Sequence, residues 1–296
     1  MATTVPIQQR IEELKKEFER LKKGKESLLV LIEEAEIPES VYNSNAIENS
    51  TLTLKETEKI LLELTVSRDV SVREIFETKN LARVAEYVRN NISLKELNRE
   101  MILFLHQMFI SGIDDDIAGR FRKAGEYVRV GAHIALAPEH IEHTIDDIIT
   151  SYVSDNTTFF TDKIALFHLR FEIAHPFNDG NGRIGRAIMN YQLQRIGFPP
   201  IIIRDKEKLG YYHAFQEFKS HKKAQPMEKV VVVALLESLH KRITYLKGES
   251  IIDLVEYARA HKRNSSALLN AAKRQTIPAF REKGVWKIGE GYKILL

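Results

Sequence analysis

Residues 175–186 read His-Pro-Phe-Asn-Asp-Gly-Asn-Gly-Arg-Ile-Gly-Arg, and they leave the chain around them little choice of local structure. Leu166 to Ala174 is apolar at helical spacing and runs straight into His175-Pro176. A proline disfavours helical geometry in the residue before it, so the helix ends there. After Gly182 the 3.6-residue period returns with Ile184, Ile188, Met189 and Leu193. Between the two, Asp179-Gly-Asn-Gly182 lets the backbone curl, because Gly and Asn accept positive φ readily. The expectation is helix, tight turn, helix, with turn amides aimed into a concavity at the start of the second helix. Such a nest is an anion site.

The side chains fit that geometry. Arg183 and Arg186 are three apart on the first turn of the second helix and can present guanidinium forks to phosphate oxygens. Asp179 is a hard oxygen ligand suited to Mg²⁺, which binds through one or two carboxylates plus substrate phosphates. His175 has a reference pKa near neutrality and suits a general base. A polyphosphate cradle with a base and a metal ligand is the chemistry this pattern predicts.

The rest of the chain predicts helices around it. Ile11, Leu14, Phe18 and Leu21 mark an amphipathic helix from about Pro6 to Lys23, and a second covers Ser27 to Glu36, ended by Pro38. Thr53-Leu-Lys-Glu56 is a capping box opening a helix with Ile60, Leu61 and Leu64 inward. Helices follow over Val72–Asn90, Leu94–Phe109, His140–Val153, Lys208–Lys219 and Pro226–Tyr245. His106 is expected to be a bonded core histidine, and Asp114-Asp-Asp116 a polar loop. Val128-Arg-Val-Gly-Ala-His133 alternates around a glycine as a short hairpin would.

The 175–186 loop matches the Fic family motif HPFx(D/E)GNGRxxR without exception. Nine specified positions at roughly 5% usage each make a chance match on the order of 10⁻¹² per start point. The resemblance extends over about Leu94 to Tyr245. Related Doc-type kinases carry a Lys where this chain has Gly182, so Gly182 favours nucleotidyl over γ-phosphoryl transfer. The resemblance implies protein AMPylation from ATP and Mg²⁺. His175 would deprotonate a Ser, Thr or Tyr hydroxyl of a target protein, or of the chain itself, and Asp179 would hold the metal. Asn178, Gly180, Asn181, Gly182 and Arg183 would cradle the phosphates, and Arg186 would take the γ-phosphate. The hairpin Val128, Arg129, Val130, Gly131, Ala132 and His133 resembles the flap that docks a target's backbone as an added strand. Tyr211 and Tyr212 fall where relatives place aromatics beside adenine. Lys219 stands where some relatives keep an Asn, so the base contact differs.

Ser44 and Glu48 are four apart and share a face on a helix. Ser44-x-x-x-Glu48-Asn49 resembles the (S/T)xxxE(G/N) inhibitory helix of autoinhibited Fic proteins. Pairing of Glu48 with Arg186 is expected, with Ser44 and Asn49 fixing the helix. The same Glu serves hydrolytic removal of AMP in some relatives. Transfer of another nucleotide such as UMP is a further alternative.

From Ser250 on, Lys and Arg outnumber Asp and Glu nine to four, against a whole-chain net charge of +3. Short helices and a Gly-punctuated β pair there resemble a winged helix-turn-helix. Lys273, Arg274, Arg281, Lys283 and Lys287 are its candidate phosphate contacts. A charged surface that docks proteins is the plainer reading; DNA binding, in a nucleotide-sensing regulator, is the non-enzymatic alternative. Trp286 is expected in the module's core.

The chain is therefore expected to be mainly α in three parts: an N-terminal helical region (1–93) bearing the inhibitory helix at about 41–50, a Fic core (94–246) and a winged-helix-like module (250–296). A homodimer suits the resemblance. With no cysteine and no apolar run of about 18 residues, a cytoplasmic location without membrane partners is expected.

Overall fold

The computed structural model describes residues 3–66, 69–91, 96–131 and 133–293. The described residues hold twelve α-helices, a two-stranded hairpin of β1 (Arg129–Val130) and β2 (His133–Ile134), and a three-stranded antiparallel sheet. None of these helices is long and apolar enough to cross a membrane. Contacts divide the chain into two compact units, residues 37–230 and residues 3–36 with 231–293.

In the first unit, α4 (Val72–Asn91), α5 (Arg99–Ile110), α6 (Ile141–Ser154), α7 (Phe160–Ala174) and α8 (Asn181–Arg195) pack on one apolar centre. Leu105, Phe109, Phe171, Phe177, Ile184 and Ile188 are fully buried in it. This centre holds α7 and α8, and so the loop between them, against α4 and α5. The second unit contains α1 (Val5–Lys22) and most of α10 (Gln225–Lys247).

Two expectations need correction. The helix at Ser27 does not stop at Pro38: α2 runs Glu26–Ile47 with the proline inside it. An interior proline costs about 3 kcal/mol and one backbone bond. Beyond it, Val41, Ala46 and Ile47 are buried. Glu39 pairs with Arg204, and Asn43 accepts the Asp205 N–H at 3.0 Å. These contacts offset the break, so Ser44 lies in the last turn of a long helix and Glu48 just beyond its end. Leu64 is not inward but 74% exposed, because α3 (Leu54–Glu58) passes into a π turn over Lys59–Glu63 and Leu64 leaves it left-handed. The Thr53/Glu56 capping box is present.

At the C-terminal end, β3 (Ile251–Asp253), α11 (Leu254–Ala260), α12 (Ser265–Lys273), β4 (Ala279–Glu282) and β5 (Val285–Gly289) form a small unit with strand order β3-β5-β4. Arg281 and Lys287, two of its candidate phosphate contacts, are engaged by acids. Arg281 is buried against Glu237 at 2.6 Å, with its guanidinium over Trp286, and Lys287 bonds Asp253 at 3.0 Å. Lys273, Arg274 and Lys283 lie exposed.

Candidate active site

His175 ends α7 in the left-handed conformation (φ 48°, ψ 61°), its N–H bonded to the Phe171 carbonyl at 3.0 Å. Histidine tolerates this region at a cost on the order of 1 kcal/mol, and Pro176 bars any further helical turn. The conformation is held from outside. Buried Arg122 donates Nε to the His175 carbonyl (2.9 Å), Nη1 to that of Glu126 (2.9 Å) and Nη2 to that of Leu136 (2.7 Å). Its own N–H donates to Pro176 O at 3.0 Å. One guanidinium thus ties the base of the hairpin to the end of α7. The buried Asn181 side chain braces the turn, accepting from Phe177 N and donating to Phe177 O, each at 2.9 Å. Asn178 Oδ1 is enclosed beside it without a hydrogen-bond partner among the described residues.

His106 supports the same turn. Its ring stacks on Phe177 at 3.7 Å, and Nδ1 accepts the Gly119 N–H at 3.1 Å. Nε2 is therefore the donor to the Asp179 carbonyl at 3.1 Å. Burial pushes this imidazole down to about 4, only partly opposed by the Asp179 carbonyl, which agrees with a neutral donor–acceptor ring.

Gly180 sits at φ 81° and caps α8. The carboxylate of Asp179 lies at that cap, a third exposed, held by Arg183 (2.9 Å) and by Arg73 from α4. Both arginines also bond Glu77, again at 2.9 Å. No group of three or more potential metal ligands occurs among the described residues. One carboxylate at an anion-attracting helix start still fits Mg²⁺, which takes most of its shell from phosphate and water.

Arg186 lies deeper. It donates Nε to Ser44 Oγ (3.0 Å) and Nη2 to the Ser44 carbonyl (2.8 Å) and to Glu48 Oε1 (2.9 Å). Nη1 reaches the Tyr211 hydroxyl at 3.3 Å. Burial opposes the Arg186 charge, but Tyr211, Glu48 and Glu172 more than compensate and hold its pKa above the usual arginine range. Asn49 then ends the segment at φ 65°, a conformation asparagine accepts more easily than most residues. Gly182 leaves space for the same contact: a Cβ there would lie 2.1 Å from Glu48 Oε1 and would displace that carboxylate.

Tyr211 and Tyr212 sit beside this contact. Tyr211 is buried and its hydroxyl also bonds His168 Nε2 at 2.6 Å. The Tyr212 hydroxyl donates to the Ile47 carbonyl at 2.7 Å, at the end of α2. Beneath them, His168 and Glu172 project from α7 toward Gly185. Part of Glu172 is exposed, but its Oε1 is enclosed and unbonded. Burial pushes this carboxyl up to about 8, with Glu48 adding and Arg186 opposing, and burial pushes His168 down to about 3 with Arg186 adding.

The hairpin pairs Arg129 with Ile134 and Val130 with His133, and Ala135 N–H bonds the Val128 carbonyl at 3.0 Å. Gly131 turns it at φ 58°, and Ala132 lies outside the described residues. Ile134 and Tyr127 are exposed on it.

Arg73, Glu77, Arg122, His168 and Glu172 had no place in the sequence-based site. His168 and Glu172 did leave a signal: two titratable residues four apart, and so on one face of α7.

Residues 96–193 match the family model described as Fic/DOC family. Protein adenylyltransferase fic-1 of Caenorhabditis elegans is 29% identical over 244 residues, 80% of this chain and 44% of that protein. Protein adenylyltransferase Fic of Nematostella vectensis is 32% identical over 176 residues, 58% of this chain and 41% of that protein. The chain thus spans less than half the length of these relatives. Among solved structures, a Fic domain containing signaling protein from Bacteroides thetaiotaomicron superposes with TM-score 0.73 at 24% identity, covering 81% of this chain and 97% of that one. A fragment of Fic-1 from C. elegans bearing a glutamate-to-glycine substitution gives 0.71 at 25% identity, covering 82% and 72%.

Proposed function

We propose that the chain is a protein adenylyltransferase that Glu48 holds inactive. The observation that carries this reading is the meeting of His175, the α8 N-terminus and Arg186 in one loop, with Arg186 already engaged by Glu48 and Ser44. ATP would lie along the start of α8, its phosphates on the turn amides, Arg183 and Arg186. His175 would take the proton of a target Ser, Thr or Tyr hydroxyl. That oxygen would form a bond to the α-phosphorus as the bond to the bridging oxygen breaks, and pyrophosphate would leave with Arg183 and Arg186 stabilising its charge. Mg²⁺, held by Asp179 and the phosphates, would supply charge neutralisation. The exposed edge of the hairpin would seat the target's backbone.

The carboxylate of Glu48 places negative charge where the γ-phosphate must go. The Glu48 side chain is 32% exposed, so solvent reaches it. That favours one second reading, hydrolysis of an AMP-modified target with Glu48 orienting the water.

Labelling with ATP radioactive at the α-phosphate tests the first reading. Glu48→Gly should label itself or a target in lysate, and Glu48→Gly with His175→Ala should not. Equal labelling of wild type and Glu48→Gly refutes the inhibitory role. UTP in place of ATP reports whether the base matters, and release of AMP from a labelled target by wild type but not by Glu48→Gly supports the hydrolytic reading.

A further inference from the structure

The metal end of the site contains a closed ring of charge. Arg73 Nε bonds Glu77 Oε1 at 2.9 Å, and Glu77 Oε2 bonds Arg183 Nη1 at 2.9 Å. Arg183 Nη2 bonds Asp179 Oδ1 at 2.9 Å, and Arg73 Nη2 closes on Asp179 Oδ2. Signs alternate around the ring and cancel. Its two halves are anchored differently. Glu77 and Arg183 are buried, Arg183 with its guanidinium 4.6 Å from the Phe109 ring centre. The Arg73 side chain is 55% exposed and that of Asp179 31%. The Arg73–Asp179 contact is therefore the one that opens with least disturbance.

We propose that Arg73 sets the affinity of this site for divalent cations by occupying the Asp179 oxygen a cation would take. The proposal rests on the reading of Asp179 as the metal ligand. A carboxylate already carrying two guanidinium contacts offers little net negative potential, and Arg73 repels an incoming cation directly. Mg²⁺ also dehydrates reluctantly, so a single neutralised carboxylate holds it poorly. A polyphosphate changes both terms: it draws Arg183 toward its own oxygens and supplies the remaining ligands. Arg73 reaches Glu77 through Nε and Asp179 through Nη2, so it can release Asp179 without releasing Glu77. The cation thus enters with the nucleotide and not before it.

Titration of the full chain with Mn²⁺, followed by electron paramagnetic resonance, tests this with Mn²⁺ alone and with a non-transferable ATP analogue. Without nucleotide, Arg73→Gln should bind Mn²⁺ about tenfold more tightly than wild type, and Arg73→Lys, which keeps a cation without the fork, should fall between. With the analogue the gap should shrink. Asp179→Asn should weaken Mn²⁺ binding and erase the effect of Arg73→Gln. Equal affinities in wild type and Arg73→Gln overturn the proposal while leaving Asp179 as ligand. Weaker binding of Mn²⁺ with the analogue in Arg73→Gln also overturns it, and makes Arg73 a phosphate contact. If Asp179→Asn changes nothing, the ligand assignment and the proposal fall together.

Discussion

Arg183 and Arg186 stand three residues apart on one helical turn, and both meet acids from distant parts of the chain, yet their settings differ. Arg183 belongs to a four-membered ring whose outer half is open to water. Arg186 is enclosed, and every group bonded to it comes from α2, Glu48 beyond it, or α9 (Lys208–His221). Both guanidiniums are buried, but Arg183 shares its two carboxylates with the half-exposed Arg73, which can exchange partners with water at little cost. Arg186 is paired with Glu48 and must keep an anion at every stage. Losing Glu48 therefore leaves Arg186 in need of another anion, and a γ-phosphate can serve. Glu48 and the nucleotide are alternative counter-ions for one buried guanidinium. At the Arg183 end, no such exclusive choice exists.

That contrast can be broken by substitution. Glu48→Gly should raise labelling the most, by about a hundredfold, which corresponds to roughly 2.7 kcal/mol. Ser44→Ala removes the hydroxyl that accepts from Arg186 Nε but leaves the carbonyl contact. A hydrogen bond to a charged group contributes about 1.5–3 kcal/mol, so labelling should rise about tenfold, read in the same assay. Tyr212→Phe removes the bond to the Ile47 carbonyl, a neutral contact of about 1 kcal/mol, and should raise labelling about threefold to fivefold. A larger effect from Tyr212→Phe than from Ser44→Ala would mean that the end of α2, not Arg186, is the point of control.

Glu172→Gln should change labelling least and stability most visibly with pH. The folded state holds the Glu172 proton up to about pH 8, while the unfolded chain loses it near 4.5. Native Glu172 therefore destabilises the fold increasingly as pH rises through that window. The melting temperature of Glu172→Gln should match wild type near pH 4 and exceed it at pH 8. A constant difference across the window would mean that the Glu172 carboxyl is ionised in the folded protein.

How much of this was legible in the sequence follows from where the partners lie. The loop from His175 to Arg186 carries its base, anion cradle and carboxylate in one continuous stretch, and helix periodicity on either side fixes its setting. Ser44 and Glu48 were legible as a pair because four residues make one helical turn. Their continuity with the helix before Pro38 was not, since local propensity argues for a break and only packing against distant residues such as Arg204 overrides it. Arg122 and Arg73 reach the loop across 53 and 106 residues of chain. No spacing rule links residues so far apart, and a lone arginine is ordinarily solvated, whether on a predicted helix face, as Arg73 is, or in a predicted loop, as Arg122 is. Arg281 and Lys287 show the reverse failure: a basic tail looks available until its acidic partners are placed.

Calorimetric affinities for ATP and ADP report whether Glu48 and the γ-phosphate compete for Arg186. A His175→Ala background prevents turnover. With Glu48 present, the two nucleotides should bind within about twofold of each other, because Arg186 is taken. With Glu48→Gly, ATP should bind about tenfold or more tightly than ADP, a difference of about 1.4 kcal/mol. The same ATP-to-ADP ratio in both proteins would mean that Glu48 and the γ-phosphate do not compete for Arg186.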